Sequence, residues 1–303
     1  MRIASTQYHA TMNTALQTAS SRLHEILQKM ASGKRYLLPS ENPIANVRMS
    51  RLAREEAILD QYLDNIATLQ STLARHEAIL TSMSQDMLSA RDLLVWASDG
   101  SNTSEDIIAV SSSLRPLMDS IFYNANTVDA EGRYVFSGTA SDQPTISYDP
   151  NAPVGQRYTA TGNEELQLVT VGNGITQPAN VTLREIADVL NVLDNVHTVL
   201  QTPGVNVNDP AVRAELTAAL NDLDDAISLN SSKIATLGGI QNILETLHVN
   251  HTNVSLSNKQ AALVIGQLDY ADAAVKLNGY SAAIQATQKA YSQVAKLSLF
   301  DAI

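Results

Sequence analysis

The sequence predicts a mainly α protein: a long coiled-coil-like helical rod with paired terminal helices and a small β insertion. Three apolar rows carry this reading. Near the N-terminus Leu16, Leu23 and Met30 recur every seven residues, interleaved with Met12, Ala19 and Ile26. Near the C-terminus Leu263, Tyr270, Leu277, Ile284 and Tyr291 do the same, interleaved with Gly266, Ala273, Tyr280 and Val294. Between them Leu52, Leu59, Ile66, Leu73, Leu80, Met87 and Leu94 hold the spacing through seven consecutive matches. A seven-residue repeat keeps an apolar seam facing a partner helix, at the cost of a left-handed supercoil. The chain therefore reads first as an assembly part.

A first helix is expected from about Ser5 to Ser32, stopped by Gly33, with extended chain over Gly33–Ser40. Asn42 then caps a second helix whose first helical position, Pro43, lacks only an N–H that would have no partner there. Without a breaker from Ile44 to Asp99, that helix extends roughly 80 Å. After the Asp99-Gly100-Ser101-Asn102 turn a third helix, about Glu105 to Asn126, folds back along it. From Gly132 the period changes, and β-type runs are expected at Tyr134–Phe136, Thr145–Tyr148, Gln156–Ala160 and Leu166–Val171, separated by Pro and Gly. Helix resumes behind a capping box, Thr182-x-x-Glu185, and runs to Leu200. Pro203-Gly204 breaks it, and Asp209-Pro210 starts the next helix, whose seam (Leu216, Leu220, Leu223, Ile227, Ile234, Leu237) is expected to hold until Gly238-Gly239. The polar stretch Asn250–Asn258 reads as a hinge before the C-terminal helix.

Composition narrows the class. Aromatics are 5% of the 303 residues and Trp96 is the sole tryptophan, so packing falls to Leu, Ile, Val, Ala and Met, which suits thin rods. Residues 1–54 carry eight basic side chains (Arg2, Arg22, Lys29, Lys34, Arg35, Arg48, Arg51, Arg54) against Glu25 and Glu41, a local +6 in a chain of net −11. These cations are interleaved with polar residues and have no aromatic platform, so nucleic acid is not an expected partner. No apolar run reaches the roughly 18 residues of a membrane span, so no membrane insertion is expected. The start MRIASTQYHATMNT lacks the layout of a cleavable signal peptide. With no cysteine there is no disulfide and no thiolate chemistry.

Catalytic chemistry finds no constellation. His248 and His251 share a helical face as metal ligands could, but the only acidic side chain nearby is Glu245, and a solvated polar helix is the simpler reading. Ser32-Gly33-Lys34 resembles the end of a phosphate loop, yet the glycine required five residues before Gly33 is Gln28. Asp222, Asp224 and Asp225 read as the solvent side of the helix carrying Leu220 and Leu223. No catalytic residue, cofactor or metal is expected.

Specific strings then point to a family. The start Met1-Arg2-Ile3-Ala4-Ser5-Thr6-Gln7, the tract Met30-Ala31-Ser32-Gly33-Lys34-Arg35 with Pro39-Ser40-Glu41-Asn42-Pro43-Ile44-Ala45, and Gly132-Arg133-Tyr134-Val135-Phe136-Ser137-Gly138 resemble the FlgL family of bacterial flagellar hook–filament junction proteins (third hook-associated proteins), relatives of flagellin. Thr236–Asn242 and Leu268–Ala273 are similar to the flagellin-type C-terminal region, and Leu297-Ser298-Leu299-Phe300 is similar to the junction family's ending. Flagellin itself carries an Asp-Asp-Ala-Ala type string where Pro43 stands here; the junction family usually has an acidic pair before that proline, here Glu41-Asn42.

The resemblance implies a structural adaptor, not an enzyme. Such proteins are exported unfolded through the flagellar type III apparatus and form a ring between the hook-side junction protein and flagellin. The implied partners are other copies of the chain, those two proteins and an export chaperone, and the location is the extracellular flagellum. By this reading 1–44 with 261–303 line the tubular core, 45–132 with 181–260 form the rod, and 133–180 face outward. The candidate assembly residues are Leu16, Leu23, Met30, Leu263, Tyr270, Leu277, Ile284 and Tyr291, with Leu299 and Phe300 at the end. The alternatives are a flagellin filament subunit and an unrelated cytosolic coiled-coil scaffold.

Overall fold

The computed structural model describes residues 2–300, and side chains over residues 6–293. The chain divides into two compact units, Met1–Leu59 with Asn253–Ile303, and Asp60–Thr252. Helix α1 (Arg2–Ser32) ends at Gly33, whose φ of 66° is the left-handed value a helix stop requires. Helix α2 (Pro43–Ala97) starts where Asn42 Oδ1 accepts the Ala45 N–H at 3.0 Å. Helix α3 (Ser104–Ala125) opens on a capping box: Thr103 Oγ1 accepts from the Asp106 N–H, and Asp106 accepts from the Thr103 N–H.

The 60–252 unit is built on the α2 heptad row. Ile66, Leu73, Leu80, Met87 and Leu94 are all fully buried, against Leu114, Met118 and Ile121 of α3 and Leu223, Leu237 and Leu244 of α5 (Pro210–Gly266). Helix α4 (Ile186–Leu200) adds Leu190, Leu193 and Val196 to the same core. Buried Asn230 fixes the register of α5 against α2, donating from Nδ2 to Leu80 O and Ser84 Oγ, both at 2.7 Å.

The β insertion is two separate antiparallel hairpins: β1 (Ile146–Tyr148) with β2 (Tyr158–Ala160), and β3 (Leu168–Gly172) with β4 (Ile175–Pro178). Asn191 docks the first hairpin on α4, accepting from the Tyr158 N–H at 2.9 Å and donating to Tyr158 O at 2.7 Å. The buried Asp194 carboxylate receives the Gly155 N–H (3.2 Å) and the Arg157 guanidinium (3.3 Å). The second hairpin is held by Asn65 Nδ2 donating to Thr170 O (2.8 Å) and by the His251 ring, 2.9 Å from Val171 O and 5.5 Å from Tyr62.

Several expectations are corrected. Tyr134–Phe136 is not a strand: only Tyr134 bridges, to Val128, and Phe136 instead plugs the core against the His76 ring at 5.3 Å. The strand β4, unforeseen, follows from the Gly174 turn (φ 71°). The Thr182–Glu185 capping box does not form, because Lys233 draws both the Thr182 carbonyl and the Glu185 carboxylate to itself. Helix α5 is continuous in secondary structure through Gly238-Gly239 and through 250–258. Leu237, Ile240 and Leu244 are buried on either side of the glycines, worth roughly 1.5–3 kcal/mol each against about 1 kcal/mol per glycine. Ser255, buried, hydrogen-bonds Glu56 in the supposed hinge. Among the described residues no three His, Asp or Glu side chains group as metal ligands could, His251 facing Val171 O instead, and no helix is long and apolar enough to cross a membrane.

His76 makes the 60–252 unit sensitive to acid. Its ring is 3% exposed, Nδ1 has no hydrogen-bond partner, and burial with the neighbouring Arg75 charge lowers its pKa to about 4. The unfolded chain binds a proton below about pH 6.5 while the folded chain does not until about pH 4, so stability contributed by neutral His76 is complete above 6.5 and falls through that window. Replacing His76 with Leu is expected to shrink the loss of stability between pH 7 and 4.5 by about 2–3 kcal/mol. Urea titrations of both chains at the two pH values measure this; equal losses contradict it.

Candidate assembly surface

Within the unit of Met1–Leu59 and Asn253–Ile303, α1 lies antiparallel against α6 (Tyr270–Phe300). The two are clasped at one end by a short stretch of extended pairing. Lys34 bridges Gln267, Arg35 N–H donates to Gly266 O (2.7 Å), and Leu268 N–H donates to Gly33 O (3.0 Å). Tyr270 Oη donates to Met30 O at 3.2 Å, and a Cβ on Gly33 would lie 3.3 Å from that hydroxyl, so the position favours glycine twice over. Asp269 starts α6, accepting from the Ala271 and Asp272 N–H groups. At the far end the His9 and Tyr291 rings meet edge-on at 5.3 Å.

The buried centre of this pair is small. Ile26, Leu268 and Ala273 form it, with Leu23, Met30, Leu277 and Tyr280 packed around them. Of the predicted row residues, Leu23, Met30 and Leu277 pack in the seam between α1 and α6 and Tyr291 meets His9 across it, while Leu16 and Ile284 are half-buried on the same two helices. Leu263 does not join them, Tyr270 reaches α1 through its hydroxyl on Met30 O, and the expectation of one continuous row is corrected. The chain breaks helix at Gln267–Asp269 to make the clasp, which puts Leu263 on α5, 58% exposed, and leaves Tyr270 50% exposed. Leu299 and Phe300 lie outside the residues whose side chains are described. Ile26 and Ala273 belong to the interleaved rows; the heptad argument ranked them second, although smaller or more central positions bury most completely in a two-helix contact. The break at 267–269 went unread in the sequence, although Gly266 followed by Asp269, a favoured N-cap residue, is a local signal for it.

The link between α1 and α2 is held electrostatically. Glu41 accepts the Leu37 and Leu38 N–H groups at 3.1 Å and pairs with Lys29 at 2.6 Å, which also holds Glu25. The Lys29 ammonium, with those backbone donors, holds the Glu41 carboxyl below its ordinary range. Burial opposes the charge on Lys29, but the two carboxylates outweigh it and raise its pKa. Glu41 and Asn42 therefore divide the work: the first ties the link to α1, the second caps α2. Beside the clasp an apolar groove of about 910 Å³ is lined by Leu37, Leu38, Pro39, Met49 and Leu263, with Lys34 and Lys259 among its cations.

Comparison with known proteins places this arrangement. The bacterial flagellin N-terminal helical region matches residues 3–141. Flagellar hook-associated protein 3 of Escherichia coli (strain K12) is 25% identical over 292 residues, 90% of each chain, and that of Salmonella typhimurium 22% over 317 residues, 99% of each. A solved structure described as a flagellar hook-associated protein from Vibrio parahaemolyticus is 30% identical, with a TM-score of 0.68, covering 74% of this chain and 99% of that one. The chain belongs to the flagellar hook-associated protein 3 (FlgL) family. Xanthomonas campestris FlgL, 15% identical, shares the fold at a TM-score of 0.60 over 69% of this chain and 99% of its own. The FlgL assignment agrees with the mainly α rod and its small β insertion.

The small centre of the terminal pair sets its stability. Ile26→Ala is expected to remove about 2 kcal/mol or more from α1–α6 pairing. Amide exchange in dilute solution should then quicken across α1 and α6 while α3 and α4 stay protected. Uniform protection of both chains over all helices would contradict it.

Proposed function

We propose that this chain is the structural adaptor joining the hook side of the bacterial flagellum to its flagellin filament. Membership of the FlgL family is the observation that carries this, and the structure supports it in kind. The terminal helices meet through a small centre while Leu263, Val264 and Val275 remain exposed, a surface suited to burial by neighbouring copies. Its place is in the flagellum, its role is structural and it is not an enzyme.

The finer reading is also ours. Copies associate into a ring, with the seam residues Leu16, Leu23, Met30, Leu277, Ile284 and Tyr291 holding the terminal pair that the ring assembles from, and Leu263, Tyr270, Leu299 and Phe300 offered to neighbours. Residues 1–44 with 261–303 line the core, 45–132 with 181–260 form the rod, and 133–180 face outward. The hook-side junction protein and flagellin flank the ring. The chain travels unfolded through the type III apparatus with an export chaperone, a route to which the absence of cysteine is suited.

Deleting the gene is expected to leave hooks without filaments in electron micrographs, with monomeric flagellin in the medium, and restoring the chain should restore filaments. Normal filaments on the deletion strain contradict the proposal.

A further inference from the structure

The α2 helix carries a face that the fold leaves uncovered. Ala45, Met49, Leu52 and Glu56 turn inward, while Ile44 (70% exposed), Val47 (64%), Arg48, Arg51 and Ile58 (50%) form an outward stripe. The spacings of three, four and seven residues place them on one side of the helix. Among the described residues neither Arg48 nor Arg51 makes an ion pair. Glu55, one turn further on, is also without an ion pair there.

A face of α5 in the 60–252 unit has the complementary character. Asp222 and Asp225 are exposed on the side that continues into Leu229 (44%) and Ile243 (46%). Their neighbour Asp224 is already engaged by Arg91 at 2.5 Å, while Asp222 and Asp225 make no ion pair among the described residues. Two cations three residues apart beside a valine thus match two anions three residues apart near a leucine. Charge is separated on the larger scale as well, with +6 over residues 1–54 in a chain of −11.

We propose that the Ile44–Val47–Arg48–Arg51 face of one copy docks on the Asp222–Asp225–Leu229 face of the next. This rests on the reading of the chain as a self-assembling adaptor and goes further by naming the two faces. Because they are different surfaces, the contact is heterologous, and only a heterologous contact propagates around a ring. Opposite charge on the two faces steers encounter and sets register, and it penalises two like faces meeting. The apolar residues then bury surface against each other, which charge alone would not do.

The absence of cysteine gives a clean background for a direct test. A chain carrying both Val47→Cys and Leu229→Cys is expressed in the deletion strain, and isolated flagella are treated with a short bismaleimide. A ladder of dimers, trimers and higher species is expected, absent from either single-cysteine chain. In parallel, Arg48→Glu with Arg51→Glu, and separately Asp222→Lys with Asp225→Lys, should lower the number of filamented cells by about tenfold or more, with circular dichroism unchanged. All four changes in one chain should recover filaments, because the charges again oppose. Should either charge variant misfold, the crosslinking decides. A chain present in flagella but giving no ladder, or four changes together no better than two, overturns the pairing of these faces. Absence of the unaltered chain from flagella overturns the adaptor reading instead.

Discussion

The uninterrupted apolar row of α2 is the constraint to which the 60–252 unit answers. A helix of 55 residues cannot leave a stripe from Ile66 to Leu94 in water, since each Leu or Ile so exposed forfeits roughly 1.5–3 kcal/mol. Helices α3, α4 and α5 supply the cover, and their own apolar positions repeat at the same period because they face the same row. With few aromatics available, the contact is made by Leu, Ile, Met and Ala, which allows close approach but little variation in shape. Buried Asn230 then excludes slipped registers, since a one-turn shift would strand its amide away from Leu80 O and Ser84 Oγ.

The hairpins are held by a different kind of chemistry. Neither has enough apolar surface for a core, and the fixings are polar side chains reaching backbone: Asn191 to Tyr158, Asp194 to Gly155, Asn65 to Thr170, His251 to Val171. A helix that offers an amide side chain to a strand edge completes the hydrogen bonding that a third strand would have supplied. Apolar anchors add to these: Ile146, Tyr158 and Val171 of the hairpins are buried in the core of the unit, as is Phe136, carried by a segment that has no regular structure of its own. Close approach shapes that segment too: a Cβ on Gly138 would fall 2.1 Å from Asn163 Oδ1.

Where apolar period alone decides structure, the sequence was legible. The end of α1, the start of α2 and the approximate extent of α3 follow from Gly33, Asn42-Pro43 and the Asp99–Asn102 turn, and the β-type runs at 145–148 and 156–160 contain β1 and β2. Failures share a cause, namely tertiary partners that local signals do not contain. Thr182 and Glu185 look like a cap until Lys233, 48 residues beyond Glu185, takes them. Gly238-Gly239 looks like a stop until the buried neighbours on both sides are counted. The packing of α1 on α6 was half legible for the same reason: the heptad rows name Leu23, Met30 and Leu277, but only the clasp between Gly33 and Leu268 shows that Leu263 leaves that contact.

The two glycines that α5 absorbs leave a mechanical trace. No atom lies within 4 Å of where a side chain would begin on either Gly238 or Gly239, so packing does not require them to be glycine. Adjacent residues without a Cβ are where a helix yields first when loaded. The helical turn around Gly238-Gly239 thus has the lowest intrinsic helix propensity in that stretch, and its straightness rests on the buried neighbours Leu237 and Ile240.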